Sequence, residues 1–487
     1  MKNVSKSVFL NTLLVCPSLG WLLRSGEPIE QLSKEVLSLG EQFRIEEGAE
    51  TGRLARGLYP QGKLIDEKDL VKAANKTITL LADKKQSIIF EATFLVDDYV
   101  TKADILKREK KGWHLVEVKM DANDKPELVD ELAYTAMVMM RAGVEISSCA
   151  LMLVSKDYRL GMKDEALFVE VDHTGDALLR AVEFANSWDE VKKQTGAPAM
   201  PVPELQLVCK KCPLFADCLG KGINNHMLEI PRLSQKKFDS LKALGVVSIV
   251  DIPPTFELTQ NQAVVRDCVL SKKPHINRNL KIEFDAIVWP VYYLDFETVR
   301  TAIPLYPDIA PYTQMPIQYS IHKCSDVDKV VSHKEFLSDH RKDDRRQLAE
   351  TLISDLESTG SIITYSNFEQ RIINALAGLY PDLSDKLKRM LDRIVDLEAI
   401  IGRNVYHPDF HGSISIKRTL PALVPDMSYD DLEIREGDSA SAAFAYLALE
   451  RWKAESDIQA IRDNLLQYCA RDTLAMVKLH QRLAEHI

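Results

Sequence analysis

Two kinds of hydrophobic pattern alternate along the chain. Apolar residues recur at helical spacing over Glu30–Phe43 and Asp66–Leu81, whereas SIIFEATFLV, KADILKR, HLVEVKM and CALMLVS are short apolar runs that read as strands. Strands that follow one another this closely predict a mostly hairpin-fed sheet, and with the helices they predict a small α/β domain over residues 1–220. The proline-rich stretch GAPAMPVPE (Gly196–Glu204) forms a joint near its end. Residues 221–290 carry one helical pattern, SQKKFDSLKALG, followed by VVSIVDIPP. This reads as a helical connector, and the same order of helix, turn and second segment suits a helix-hairpin-helix whose backbone N–H groups hold a phosphate. From Val291 the run VYYLDFET starts a second α/β unit over 291–487, with a strand in GSIITYSNFE and helices at Gln347–Glu357, Gln370–Leu379 and Ile461–His486. The chain has no internal repeat and no low-complexity tract.

Composition changes this picture little. With 46% hydrophobic and 28% charged residues among 487, the chain reads as a soluble globular protein of more than one domain. A net charge of −10 sets up no global basic field for a nucleic acid, and a local basic groove stays open. The run MKNVSKSVFLNTLLVCPSLGWLLRSG imitates a secretory leader, but Asn11 and Thr12 interrupt it, no small residues precede Cys16, and the apolar pattern continues through Trp21. No other stretch approaches the ~20 apolar residues of a membrane span. These features predict a cytoplasmic protein with no membrane partner, where clustered cysteines bind metal more often than they pair as disulfides.

Three of the eight cysteines, Cys209, Cys212 and Cys218, fall within CKKCPLFADC. A four-ligand site needs one more. Cys149 sits in an apolar strand, and Cys268, Cys324 and Cys469 lie beyond the cluster, so Cys16 is the best candidate. One ligand near the N-terminus and three after the α/β core would staple the two ends of that domain together. Irregularly spaced thiolates suit a [4Fe-4S] cluster, with a zinc ion or unliganded thiols as the alternatives. Cys16-Pro17 together with the distant triple cysteine resembles the RecB-type nucleases of the PD-(D/E)xK superfamily, which wrap such a cluster around a nuclease core.

That resemblance implies an acid on one strand, then an acid and a lysine alternating on the next, all projecting into one cleft. The matching positions are Glu91 in IIFEATF, Asp104 in TKADIL, and Glu117 and Lys119 in HLVEVKM. It further implies that Asp104 and Glu117 hold Mg²⁺ or Mn²⁺ while Lys119 orients water or stabilises charge on the phosphate. Taken alone, EVK is more often an amphipathic surface strand. Two positions depart from the family pattern. Gly52 stands where a histidine ligand is expected, which leaves Glu47 or Glu50 to take its part, and DELAYTAMVM offers only Tyr134 for a glutamine–tyrosine pair.

A second set of acids lies in the C-terminal unit. YYLDFET places Asp295 and Glu297 on one face of a strand, and LLQYCARDT puts Tyr468 one helical turn before Asp472. This order resembles the DEDD exonucleases of the RNase H-like fold, in their tyrosine subtype. The resemblance implies that the acids hold two divalent ions and that Tyr468 positions the attacking water. In the middle motif YSNFE, Glu369 replaces the usual aspartate and Tyr365 the usual asparagine, with Asp396 as a fallback ligand whose other reading is the start of a helix or strand. YHPDFHGSISIKRTL reads equally as a substrate-facing loop, with His407, His411 and Lys417, or as a solvated one.

The arrangement as a whole resembles bacterial proteins that fuse a RecB-type nuclease to a C-terminal DEDD domain, the likeness resting on LDFET, HPDFHGS, LPALVPDMSYDDL and YCARDT. It implies a metal-dependent dual nuclease acting mainly on DNA in repair, recombination or defence, with a [4Fe-4S] cluster and Mg²⁺ or Mn²⁺ as cofactors. The alternatives are a 3′–5′ exoribonuclease, and a redox-sensing or scaffolding iron–sulfur protein whose nuclease sites have decayed.

Overall fold

The computed structural model describes residues 2–26, 37–452 and 454–486, so the part of the expected Glu30–Phe43 helix before Leu37 lies outside the described residues. The protein is α/β with mixed sheets and divides into two units. The first comprises Met1–Leu37, Gln42–Lys221 and Arg300–Thr313; the second comprises Ser38–Glu41, Gly222–Val299 and Gln314–Ile487.

The first unit is built on a six-stranded sheet of sequential order: β1 (Lys63–Leu64), β2 (Ile88–Val96), β3 (Tyr99–Arg108), β4 (Trp113–Val118), β5 (Ile146–Val154) and β6 (Phe168–Asp172). Hairpins feed β2, β3 and β4, as their close spacing predicts, but β5 runs parallel to β4. A parallel neighbour needs a crossover, which the helix Pro126–Arg141 supplies, burying Leu132 to Met139 against the sheet. The apolar N-terminal run forms two helices, Lys6–Leu14 and Pro17–Ser25. Phe9 is fully buried among Tyr99, Tyr134 and Phe184, with ring centroids 6.1, 5.3 and 5.2 Å away. Aromatic rings remove so much apolar surface from water that a cluster of four anchors the helix firmly to the core.

The segment Arg300–Thr313 belongs to this unit although it follows the DFET strand directly in sequence. Glu47 Oε1 accepts from the backbone N–H groups of Ala302 (2.6 Å) and Ile303 (3.4 Å), the Tyr312 hydroxyl donates to Met120 O (2.7 Å), and Ala302 is buried with Val154, Tyr158 and Leu167.

The second unit contains β7 (His275–Ile276), β8 (Val291–Val299), β9 (Met315–Asp326), β10 (Lys329–Leu337), β11 (Ile362–Thr364), β12 (Ile394–Asp396) and β13 (Val405–Tyr406). Five of them form a sheet in the order β10-β9-β8-β11-β12, in which β8, β9 and β10 are an antiparallel meander and β11 runs parallel to both β8 and β12. Residues 222–290 hold helices Gln235–Ala243, Gln260–Ser271 and Asn279–Asp285, and β7 pairs antiparallel with β13, which ties this stretch into the second unit. The C-terminal helix, Glu455–Ala484, begins six residues before the sequence pattern suggests because its first turn is polar, with Glu455 and Asp457 placed favourably at the N-terminus. Among the described residues no helix is long and apolar enough to cross a membrane.

Candidate active site

The second unit brings three acids together at the centre of its sheet. Side chains two apart on a strand share a face, so Asp295 and Glu297 project from β8 to the same side, and Asp472 meets them from the helix Glu455–Ala484. One carboxylate oxygen from each lies within 4.8 Å of the other two. Glu369, in the first turn of the helix Phe368–Leu379, is 2% exposed, and its Oε2 has no hydrogen-bond partner.

Burial, followed by the fields of Asp472, Glu297 and Glu369, pushes Asp295 well above the usual carboxylate range, and burial with Asp472 does the same for Glu297. Burial lifts Glu369 to about 8 and Asp472 to about 6. The Lys417 ammonium opposes the rise at Glu297 and Asp472. Carboxyls gathered out of water must take up protons or a cation, and an all-oxygen donor set with an orphaned buried Oε2 fits a hard divalent ion such as Mg²⁺ or Mn²⁺.

Two tyrosines attend this group. Tyr468 is buried one turn before Asp472, and burial and the surrounding acids hold its hydroxyl protonated. The other, Tyr429, carries no signal in the sequence: its hydroxyl donates to Asp472 Oδ1 at 2.5 Å, and its ring lies 6.2 Å from that of Tyr468. The segment LPALVPDMSYDDL contains Tyr429, but a loop residue has no hydrophobic period to mark which way it faces. Cys469 donates its thiol to Asp295 Oδ2 at 3.5 Å.

The two readings for the third acid now separate. Asp396 ends β12 and caps the helix Leu397–Asn404, accepting from Ala399 N at 2.9 Å. Asparagine caps a helix as well as aspartate does. Asp396→Asn is therefore expected to leave Mn²⁺ affinity close to wild type, whereas Glu369→Gln should weaken it at least ~10-fold, as measured by isothermal titration. Neither histidine of the YHPDFHGS loop turns to the acids: His411 Nδ1 meets Glu229 Oε2 at 3.0 Å, and His407 Nδ1 accepts from Asp409 N at 3.2 Å. Tyr365, in the place of the usual asparagine, donates to Ile414 O at 2.7 Å and steadies the same loop.

The acids of the first unit are differently balanced. Asp104 on β3 accepts from Val118 N at 2.7 Å, and burial followed by the field of Glu117 lifts it to about 7. Glu117 is 2% exposed on β4, and burial alone would raise it, but Lys6 and Lys119 hold it below its ordinary value. Lys6, from the first helix, pairs directly with Glu117 Oε1; Lys119 sits 3.1 Å from the same oxygen and 2.5 Å from Glu131 Oε2. Glu91 stands opposite Asp104 between the register pairs Phe90↔Ile105 and Ala92↔Ala103, with a left-handed φ of 53°. A non-glycine residue held there inside a strand is strained by about 1 kcal/mol or more, which is a mark of functional sites. Its carboxylate lies 3.4 Å from Arg56, and both line a cleft of about 390 Å³ with Gly48, Gly52 and Asp104.

The expected substitutes for the missing histidine do not line that cleft. Glu47 holds the backbone of Ala302 and Ile303, and Glu50 pairs with Arg53 at 2.6 Å. Tyr134 likewise serves the fold, since it is fully buried and donates to Val4 O (2.7 Å) and Val100 O (3.0 Å), pinning the N-terminal segment. Cys16, Cys209, Cys212 and Cys218 all line one cavity, with Leu19 and Phe215 among its apolar walls.

Residues 292–415 match the family model of a domain of unknown function, DUF2779. No curated protein matches the chain. The DUF2779 segment contains Asp295, Glu297 and Glu369, while Tyr429, Tyr468 and Asp472 lie beyond it. The matched segment therefore supplies the strand acids and the middle acid, and the helix that completes the group follows it.

Proposed function

We propose that the protein is a divalent-metal-dependent nuclease whose C-terminal unit, read as an RNase H-like domain of the DEDD tyrosine type, trims the 3′ ends of DNA. The observation that carries this reading is the convergence of Asp295, Glu297 and Asp472, with the buried Glu369, whose Oε2 has no hydrogen-bond partner, near enough for its field to act on Asp295. A D-x-E pair on the central strand of a mixed sheet, completed by an acid from the last helix, is what such a domain requires. Bound Mg²⁺ or Mn²⁺ would polarise the phosphate and activate water there. Asp295, Glu297, Glu369 and Asp472 would hold the ions, and Tyr468 would orient the attacking water through its protonated hydroxyl. The decisive experiment is Mn²⁺-dependent degradation of 3′-labelled single-stranded DNA by the full-length, anaerobically purified protein. Matched DNA and RNA strands distinguish a deoxyribonuclease from an exoribonuclease, and no cleavage of either strand rules out the nuclease reading.

The first unit is read as a RecB-like PD-(D/E)xK domain on the strength of Glu117 and Lys119, 3.1 Å apart, lying close enough to Asp104 for their charges to act on it, although Asp104 alone of the three lines the cleft with Glu91. Here Glu117 is paired from within by Lys6 and Lys119, whereas no ion pair is made to Asp295, Glu297 or Asp472 among the described residues of the C-terminal unit. Two classes of Mn²⁺ site are accordingly expected. Glu117→Ala should remove the weaker class and its nuclease activity while leaving 3′ trimming intact; loss of both activities in a folded variant would refute two independent sites.

Cys16, Cys209, Cys212 and Cys218 would hold a [4Fe-4S] cluster as a clasp. Their shared cavity supports this, as do the burial and neighbouring thiols that raise Cys209 and Cys218, since clustered thiols are relieved by ligation. The purified protein should be brown with absorption near ~400 nm, and Cys16→Ser should cost colour and solubility together. A colourless protein carrying zinc would overturn the cluster assignment.

A further inference from the structure

The segment between the helices Ile416–Leu423 and Gly437–Ala448 is fastened to the acid site at several points. Arg471, the residue before Asp472 on the C-terminal helix, makes a two-pronged ion pair with Asp431, at 2.9 and 2.8 Å, and also donates to Ser428 O. Lys417 Nζ donates to Arg435 O at 3.2 Å. Between these fastenings Tyr429 reaches inward and donates to Asp472 Oδ1. Arg471 thus straps down the loop that delivers a hydroxyl to its own neighbour.

We propose that Tyr429 is a positioning residue for Asp472, occupying one carboxylate oxygen so that the other is presented to a bound cation, and that the Arg471–Asp431 fork exists to hold it there. This rests on the reading of Asp472 as a cation ligand. A free carboxylate can turn about its last bond and share both oxygens with an ion; one whose Oδ1 is already taken by a hydrogen bond offers a single oxygen in a fixed direction. Hydrogen bonds to metal-ligating groups orient the ligand and typically account for ~10- to 100-fold in metal affinity or activity. The fork geometry is specific to arginine, because lysine carries a point charge and cannot make two parallel bonds to a carboxylate.

The test is Mn²⁺ binding to the full-length protein by isothermal titration and Mn²⁺ EPR, in a Glu117→Ala background that removes the buried acid of the first unit, with metal-free thermal unfolding alongside. Tyr429→Phe keeps the ring against Tyr468 and removes only the hydroxyl. It should weaken Mn²⁺ binding ~10- to 100-fold and change the EPR line shape, with metal-free unfolding near that of the parent. Arg471→Lys should move affinity the same way by less. Asp295→Asn separates the two ways of failing. If it leaves Mn²⁺ binding intact, the acid group is not the metal site and the proposal falls with that reading. If it abolishes binding while Tyr429→Phe changes affinity less than ~2-fold, or lowers only thermal stability, the ligand reading stands and the positioning role is overturned.

Discussion

Asp295→Asn should abolish 3′ trimming and at the same time make the metal-free protein more stable. The loss follows from its place at the centre of the acid group, against Glu297 on the same strand and Asp472 on the helix. Asparagine keeps the shape and one oxygen but not the charge, and if Asp295 bridges two ions as proposed, losing it is expected to cost on the order of 10³-fold or more in rate. The gain follows from burial and like charge. Asp295 is pushed well above its ordinary value first by desolvation and then by Asp472, Glu297 and Glu369, so between its unfolded and folded values the folded chain carries a proton that the unfolded chain has released. Each pH unit between those two values costs about 1.4 kcal/mol, and asparagine avoids the cost. The unfolding temperature in EDTA should rise by several degrees, while the further rise on adding Mn²⁺ should disappear. A variant that is destabilised in EDTA and still stabilised by Mn²⁺ would contradict both expectations.

The stabilising effect of Mn²⁺ should itself grow steeply with pH. Glu369 is lifted to about 8 and Asp472 to about 6, both first by burial, from ordinary values near 4.5 and 3.8. For a group whose folded pKa is raised, the associated stability is complete below the unfolded value and is lost as pH climbs through the folded one. The metal-free protein should therefore lose stability from about pH 4 to 8 as these carboxyls ionise against one another. A divalent ion binds the ionised form, so its affinity rises across the same interval. Unfolding scans in EDTA and in Mn²⁺ at about pH 5.5, 7 and 8.5 should diverge progressively, the gap being widest at the alkaline end. A gap independent of pH would mean that Mn²⁺ acts elsewhere than on these acids.

Much of the C-terminal site can be read from residue spacing, because β8 and the last helix have regular periods. A D-x-E pair on a strand must share a face, and Asp472 lies one turn beyond Tyr468. The strand beside β8 is harder to recognise. Gln318, Ser320 and His322 interrupt the apolar run of β9, yet all are buried on one face. Gln318 donates to Leu465 O at 2.8 Å, and Ser320 and His322 each meet Thr473 at 2.8 Å, so the polarity that hides the strand in the sequence is answered by a helix about 150 residues later. Lys6 illustrates the same limit, since its charge matters only because the N-terminal helix packs on the crossover helix Pro126–Arg141 and so brings it to Glu117. The left-handed backbone of Glu91 leaves no trace in residue type, because glutamate has no preference for it. Tyr429 and Arg471 are joined by a loop whose course only the fold determines.

The course of residues 300–313 bears on how such a chain can be inherited. The first unit does not end at Lys221: it recovers fourteen residues from between β8 and β9, including the buried Ala302 and the backbone donors that satisfy Glu47. A recombination event that exchanged everything after residue 221 for a foreign partner would leave Glu47 facing unfilled space and Val154, Tyr158 and Leu167 without one of their neighbours. The two halves are thus bound by descent as well as by peptide bonds, and drift in the β8–β9 loop is answerable to a core encoded more than a hundred residues upstream.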